Sequence, residues 1–304
     1  MTNIIVPVAV RVQGFFKFDA IRPDGTSRAL TGWFPNLVTD AGLERIGTGP
    51  YLTACHVGTN NTAPNVLDTS LAGYLAGTTT IQASSFGAQS TAPYFGWKTI
   101  TYRFAQGAAA GNISEVAIAT SAAPAATIFS RALVLDGGGA PTTVTVLPDE
   151  VLDVTYQLRL YPPLTDNVQS GVTITGSGTH DITVRAANVT SSLWGAFLGE
   201  QAKFNPSAPN YFMARNGSIG AITSGPAGTS SGATAYNFGY GAGSLYRDGG
   251  ATWGLNAGNL SGGIKSLEWT TSLGLFQCEF SPVINKISTK TLNLVMRVTW
   301  ARNP

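Results

Sequence analysis

Apolar and polar side chains alternate along residues 151–161. A period of two is that of an extended strand, whose successive side chains point to opposite faces. Five apolar side chains thereby share one face: Leu152, Val154, Tyr156, Leu158 and Leu160. Pro162 and Pro163 end the strand, because proline donates no backbone hydrogen bond to a sheet. A strand with one apolar face requires a sheet around it and a core beneath it.

Similar segments recur in the first half of the chain, at residues 6–18, 97–104, 113–118, 128–135 and 142–147. One short helix is predicted over residues 41–46, with Thr39 or Asp40 as its N-cap and Gly47 at its end. Elsewhere Gly, Pro and β-branched residues interrupt every stretch long enough for a helix. The sequence therefore predicts an all-β protein of two β-sandwich-like domains, with one short helix in the first.

A domain boundary is predicted near residue 165. The segment Pro162–Asp166 is typical of a linker, and about 150 residues per domain is the usual expectation for a chain of 304. The order of strand, turn, strand and long final strand in residues 111–162 recurs in residues 262–300. Two related sandwiches or a shared strand composition both explain this echo. We predict domains at residues 1–164 and 165–304.

Charged residues are scarce, at 11% of the sequence against roughly 25% in average soluble domains. The 18 Lys and Arg residues are scattered singly and nearly balanced by 16 Asp and Glu, for a formal net charge of +2. Without a basic stripe we expect no nucleic-acid partner. Few charges are also typical of proteins that bury much of their surface in an assembly.

Neither a membrane anchor nor a disulfide framework is expected. The apolar residues 4–10 end at Arg11 and are interpreted as a first strand and not as a signal peptide. No apolar run reaches the roughly 18 residues of a membrane-spanning helix. Cys55 and Cys278 are predicted to be free buried thiols, which fits folding in a reducing cytoplasm.

Metal and nucleophile motifs are weak. Cys55 and His56 are adjacent, so on a strand their side chains point to opposite faces, and the same holds for His180 and Asp181. Residues 228–232 match the Gly-x-Ser-x-Gly pattern but lack the strand before it and the helix after it. Residues 239–243 are rich in glycine but lack the lysine and the following helix of a phosphate loop.

The only close group of acids is Asp149, Glu150 and Asp153, at a turn that enters a strand. Two acids at a suitable distance could cleave a glycosidic bond, whereas a solvated acidic turn is the simpler interpretation. We therefore predict no enzyme, no cofactor, and no catalytic, metal-binding or cofactor-binding residue. Ligand-binding residues are not assigned.

Residues 205–263 contain 14 glycines among several aromatic side chains: Tyr211, Phe212, Tyr236, Phe238, Tyr240, Tyr246 and Trp253. A long irregular segment of this kind is usually functional or part of an interface. Aromatics among small polar residues can stack on sugar rings, and the same composition serves adaptable protein contacts. We expect protein contact or self-packing, with sugar binding as the alternative.

Five phrases carry a resemblance to a known class of proteins. Residues 35–43 read Pro-Asn-Leu-Val-Thr-Asp-Ala-Gly-Leu, and residues 57–64 read Val-Gly-Thr-Asn-Asn-Thr-Ala-Pro, with Asn60 where the pattern has Gly. Residues 68–71, the pair 113–118 and 129–132, and residues 152–156 follow in order. Together they resemble tailed-bacteriophage virion proteins of the tail-fibre, tail-tip, baseplate and collar class. The resemblance covers residues 33–161.

This resemblance implies a structural protein of the virion tail: a fibre, a fibre adaptor or a baseplate or collar protein, folded in the host cytoplasm before assembly. The N-terminal domain would dock to other tail proteins, and the C-terminal domain would face contacts or a host receptor, either a glycan or a protein. A homo-oligomer is expected, a trimer if the chain is a fibre. The alternatives are a capsid decoration or head-fibre protein, and a carbohydrate-binding or depolymerising tailspike-like protein.

Overall fold

The computed structural model describes residues 5–204 and 212–304. Strands contain 50% of the residues and helices contain 4%. The strands form several sheets that pack against each other. The all-β, sandwich-like fold class is thereby confirmed. Residues 205–211, which include Tyr211 of the glycine-rich segment, lie outside the described residues, as does Ile4 of the first predicted strand.

Thirteen strands are described before the predicted boundary. They are β1 (Ile5–Ile21), β2 (Ser27–Ala29), β3 (Phe34–Pro35), β4 (Leu37–Val38), β5 (Ala54–Gly58), β6 (Tyr74–Thr78), β7 (Ile81–Ala88), β8 (Gly96–Phe104), β9 (Gly111–Ile113), β10 (Glu115–Ala119), β11 (Ile128–Leu133), β12 (Val144–Val146) and β13 (Val151–Tyr161).

Nine strands are described after it. They are β14 (Asn167–Ile174), β15 (Gly178–Ala186), β16 (Phe212–Arg215), β17 (Ser230–Gly232), β18 (Thr234–Asn237), β19 (Tyr246–Trp253), β20 (Ile264–Thr271), β21 (Gly274–Ile284) and β22 (Leu292–Arg302). Helix α1 is Asp40–Thr48 and helix α2 is Leu193–Ala196.

The alternation of residues 151–161 forms β13 as predicted. Its five apolar side chains, Leu152 to Leu160, are all fully buried. Strand β13 pairs antiparallel with β1, from Arg11 opposite Tyr161 to Ile21 opposite Val151, and with β8 on its other side. The polar face of β13 therefore belongs to the outer surface of a sheet whose inner surface is core.

The largest sheet has nine described strands in the order β18-β19-β22-β1-β13-β8-β7, with β2 and β3 also pairing with β1. A five-stranded sheet has the order β4-β11-β10-β5-β6, and a six-stranded sheet the order β14-β15-β21-β20-β16-β17. Strands β9 and β12 form a separate pair. One continuous hydrophobic cluster includes Phe16 of the large sheet, Phe129 of the five-stranded sheet and Trp269 of the six-stranded sheet.

Helix α1 lies where the sequence predicts a helix but extends further. Thr39 is the N-cap, because its hydroxyl accepts a hydrogen bond from the Gly42 amide at 2.9 Å. The prediction that Gly47 ends the helix is wrong, since the helix continues to Thr48. Gly47 is instead a packing position, because a Cβ there would lie 2.2 Å from the Tyr240 ring. Helix α2 was not predicted. It is a single turn in which Gly195 packs directly on the backbone of Trp97.

Strands from both sides of residue 165 share the large sheet. Strand β22 pairs in parallel with β1, from Ile5 opposite Val295 to Val12 opposite Arg302, and β19 pairs antiparallel with β22. The segments of the sequence echo also occupy comparable places: β10–β11 and β20–β21 are hairpins of the flanking sheets, and β13 and β22 both border β1. The division into domains at residues 1–164 and 165–304 stays a prediction.

Among the described residues, none of the helices has the length and apolar character that a membrane crossing requires.

A substitution at Trp300 can test the connection between the two halves of the chain. Its indole Nε1 donates to the Leu43 carbonyl of α1 at 2.8 Å, and its ring stacks on Tyr240. Trp300→Ala removes a side chain that is 2% exposed, so we expect a loss of about 3–5 kcal/mol in the free energy of unfolding. We also expect faster hydrogen exchange in residues 40–48.

The matched control is Trp33→Ala, since Trp33 is 49% exposed and its removal should change stability by no more than about 0.5 kcal/mol. Chemical denaturation and hydrogen exchange measure both effects. Unchanged exchange in residues 40–48 of Trp300→Ala would contradict this connection.

Candidate functional site

The adjacent pair Cys55 and His56 lies in β5, where both side chains are buried. Burial raises the pKa of the Cys55 thiol well above its ordinary value. The His56 Nε2 atom lies 2.7 Å from the Ser121 carbonyl, and its Nδ1 atom is buried and has no hydrogen-bond partner among the described residues. Cys278 is also free and buried, and burial raises its pKa. Among the described residues, no group of three or more His, Cys, Asp or Glu side chains could hold a metal ion.

His180 and Asp181 have separate partners, as their opposite directions on β15 predict. The buried His180 ring contacts the Pro282 carbonyl at 2.6 Å and the Ser177 hydroxyl at 2.9 Å. The Asp181 carboxylate accepts from the Gly171 amide. Ser230, of the Gly-x-Ser-x-Gly match, lies exposed on the edge strand β17 and bonds to neither described histidine.

Two members of the acidic group are paired with arginines. Glu150 is bound by Arg28 at 2.6 Å and Asp153 by Arg103 at 2.7 Å. The hydrogen bond from Arg28 and the Leu147 amide hold the pKa of Glu150 below its ordinary value. A glycosidase requires one acid whose pKa is raised. The lowered pKa of Glu150 is therefore the opposite of what a catalytic acid requires.

The glycine-rich segment 239–243 packs on helix α1. Tyr240 donates a hydrogen bond to the Glu44 carboxylate at 2.7 Å, and the Gly243 amide donates to the same oxygen at 2.9 Å. Burial and the hydrogen bond to Glu44 raise the pKa of Tyr240 to about 12. A loop that already holds a carboxylate presents no phosphate cradle. Its aromatic side chain connects the second half of the chain to the first.

The phrases of the resemblance converge on a buried ionic cluster, which consists of Arg131, Glu115 and Asp68 and is called here the Arg131 cluster. The guanidinium of Arg131 is 2% exposed and contacts the Glu115 carboxylate at 2.7 Å and the Asp68 carboxylate at 2.7 Å. It also donates to the Thr62 carbonyl at 2.8 Å. Because Glu115 is fully buried, its charge is tolerable only with these partners.

Glu115 and Asp68 in turn hold the backbone of the segment 59–73. The Glu115 carboxylate accepts from the amides of Gly73 at 2.6 Å and Ala72 at 3.3 Å, and Asp68 accepts from the amide of Asn65 at 2.9 Å. This segment contains only isolated turns, so it cannot form a sheet ladder of its own. The Arg131 cluster therefore fixes a long irregular loop against the strand pair β10–β11.

These residues lie in separate segments of the sequence, and no local pattern predicts that they meet. A usable signal is present: Glu115 begins β10 and Arg131 lies within β11, and the other residues of both strands are apolar or small. A charged residue inside a buried strand requires an opposite charge nearby. The register of the antiparallel strands β10 and β11 then places Glu115 and Arg131 near each other.

The outer surface of the large sheet carries a second group, formed by Phe15, Phe95, Trp97, Arg159 and Tyr161 and called here the arginine–aromatic face. The Arg159 guanidinium lies between two rings, 4.2 Å from the centre of Phe15 and 4.6 Å from that of Phe95. Its Nε atom donates to the Gln157 amide oxygen at 2.7 Å. No ion pair joins Arg159 to a carboxylate of the described residues.

Arginine and large aromatic side chains are enriched at the centres of protein interfaces. Stacking fixes the guanidinium of Arg159 before a partner arrives, which lowers the entropic cost of binding. The face is therefore a candidate contact surface for a partner with a carboxylate. Arg159 and Tyr161 belong to the polar side of the alternating strand β13, which the sequence predicts without indicating a role for it.

Comparison with known proteins finds no matching family model, no similar curated protein and no similar solved structure.

The Arg131 cluster yields a stability prediction. Arg131→Met leaves Glu115 buried without its cation, so we expect a loss of about 3–5 kcal/mol in the free energy of unfolding. The double variant Arg131→Met/Glu115→Leu removes both charges and should recover part of that loss. Chemical denaturation of the two single variants and the double variant measures the coupling.

Lys203→Met is the matched control, because it breaks the exposed Lys203–Glu200 pair, at a cost of about 0–1 kcal/mol. Equal losses in the free energy of unfolding for Arg131→Met and Lys203→Met would show that the buried cluster stabilises the fold no more than an exposed ion pair does.

His56 yields a pH prediction. Burial lowers its pKa in the folded protein, whereas the unfolded chain keeps the ordinary value of 6.5. As the pH falls, the unfolded state takes up the proton first. The neutral His56 ring therefore makes its full contribution to stability above pH 6.5. This contribution is lost as the pH falls from 6.5 through the lowered pKa of the folded state.

His56→Gln keeps a donor for the Ser121 carbonyl and does not titrate. Unfolding measured from about pH 7.5 to about pH 5.5 should show a smaller decrease for His56→Gln than for the native chain. The same decrease in both would assign the pH dependence to other groups.

Proposed function

We propose that the chain is a non-enzymatic structural protein of a tailed-phage virion, located in the tail as a fibre, fibre adaptor, baseplate or collar component. The observation that carries this proposal is the convergence of the quoted phrases. Asp68 comes from one of them and Glu115 and Arg131 from another, and the three side chains form one buried cluster. Thr39, from a third, caps α1 and donates to the carbonyl of Ile128, the first residue of the cluster strand β11.

This convergence bears on the proposal because isolated phrases can match by chance, whereas phrases whose residues depend on each other act as one framework. Asp153, from the fifth phrase, is paired with Arg103 on β8 of the large sheet. The resemblance therefore rests on coupled positions in both the large sheet and the five-stranded sheet. A framework of this kind supports a scaffolding role.

The candidate chemistry considered above also favours a scaffold. Glu150 and Asp153 are held by arginines, and the 239–243 loop holds Glu44. Ionic groups are used mainly inside the chain, which leaves Arg159 as a fixed cation on an outer surface. We propose that the arginine–aromatic face docks against an acidic side chain of a neighbouring tail protein. Several copies in a symmetric oligomer, a trimer in a fibre, would add avidity.

Particle labelling tests the proposal. An antibody against the purified chain, coupled to gold, is applied to purified virions and examined by negative-stain electron microscopy. We expect label on the tail and the chain in the protein composition of the particles. Label on the head would favour a decoration protein, and absence of the chain from pure, infectious particles would refute membership of the virion.

A further inference from the structure

The turn between β14 and β15 places a serine hydroxyl against a buried histidine, a pair called here the Ser177 dyad. The Oγ atom of Ser177 lies 2.9 Å from Nε2 of His180, and Nδ1 of the same ring lies 2.6 Å from the Pro282 carbonyl of β21. No other serine hydroxyl of the described residues lies within hydrogen-bond distance of a histidine ring. A histidine that contacts a serine through one nitrogen and an orienting acceptor through the other can activate that serine as a nucleophile.

The Pro282 carbonyl determines where the proton of the ring lies. A backbone carbonyl can only accept, so the contact at 2.6 Å requires a proton on Nδ1 of His180. In the neutral imidazole, Nε2 then has no proton and accepts the hydrogen bond that the Ser177 hydroxyl donates. This is the tautomer that a general base requires, and in the serine triad a carboxylate fixes it. Here a backbone carbonyl takes that role.

Both members of the dyad are held in position. The His180 ring is 2% exposed on the buried face of β15, and Phe280 lies edge-on to it at 6.3 Å between ring centres. The Ser177 amide donates to the Ile174 carbonyl at 2.9 Å, and Gly176 beside it has a φ of 80°, which favours glycine. A nucleophile and a base held by such contacts need little rearrangement before reaction.

Ser177 also lines a cleft of about 420 Å³, a volume within the usual range of small-molecule sites. Its other lining residues include Lys286 and Lys290. No carboxylate of the described residues lines the cleft, and neither lysine forms an ion pair with a described residue. Two cations without a carboxylate partner favour a ligand that carries a negative charge.

We propose that Ser177 is an activated nucleophile that accepts an acyl group from an ester with a negative charge. Its Oγ atom forms a bond to the acyl carbon while Nε2 of His180 takes the hydroxyl proton. The ester C–O bond then breaks, and the departing oxygen takes that proton from His180, so the ring returns to its neutral form. The products are an acylated Ser177 and the free alcohol. The proposal is independent of the proposed place in the virion, and a single acyl transfer to the chain requires no enzymatic turnover.

Acetylsalicylate tests the site, and its neutral methyl ester is the matched probe without the charge. Each ester is incubated with the full chain, and peptide mass spectrometry measures the rate of acetyl transfer to each serine. We expect Ser177 to react roughly a hundredfold faster than Ser218 and Ser288, which are exposed and contact neither described histidine. We expect the ratio of the Ser177 rate to the Ser288 rate to be larger with acetylsalicylate than with its methyl ester.

Two variants separate activation from exposure. His180→Gln removes the base and keeps a side chain that can donate to the Pro282 carbonyl, and acetyl transfer to Ser177 should fall about a hundredfold. Thr179→Val changes the exposed residue next to His180 and should leave the rate unchanged. If His180→Gln does not fold, the native chain unfolded in urea replaces it, because unfolding separates the dyad and should make Ser177 react no faster than Ser288.

Equal rates for Ser177, Ser218 and Ser288 in the folded chain would overturn the proposal. An unchanged Ser177 rate in folded His180→Gln, or in the chain unfolded in urea, would also overturn it. The same ratio of the Ser177 rate to the Ser288 rate with both esters would refute the preference for a charged ester.

Discussion

The buried pair between Arg131 and Glu115 fixes the irregular segment 59–73 in the first half of the chain. Two charges removed from water are stable only when each finds partners on several sides. Here those partners are Asp68, the carbonyl of Thr62 and the amides of residues 72 and 73. One ionic cluster thereby binds an irregular loop of about fifteen residues to the hairpin β10–β11, a loop length that is uncommon without such support. The hydrophobic core beneath supplies the free energy of folding, and the cluster specifies which loop conformation covers it.

The sequence predicts where the strands lie better than it predicts which strands pair with each other. Alternation in residues 151–161 identifies both the strand and its buried face, because side-chain direction is a local property. It carries no information on the partner strand, so the parallel pairing of β1 with β22, whose paired residues are 290 positions apart, could not be predicted. Helix α1 shows the same limit. Thr39 is a local signal for its start, whereas the use of Gly47 as a packing position against Tyr240 is a long-range contact with no local signal.

The sites were less predictable than the fold for the same reason. Glu115 and Arg131 are recognisable in sequence as charges within apolar strands, but only the register of β10 and β11 brings them together. What the glycine-rich composition indicated correctly is that residues 212–263 contact the rest of the chain. Trp253 is buried in the core and Tyr240 packs on α1.

These features fit the proposed scaffold: most of the ion pairs join parts of the same chain, and Arg159 is a fixed cation on an outer surface. We propose that the chain is a tail component that docks through the arginine–aromatic face. A reconstruction of the virion tail by cryo-electron microscopy tests this proposal. We expect density that fits this chain in several symmetric copies, with Arg159 buried against a carboxylate of a neighbouring protein. Well-resolved tail density that accommodates no copy of this fold, or copies whose arginine–aromatic face is open to solvent, would contradict it.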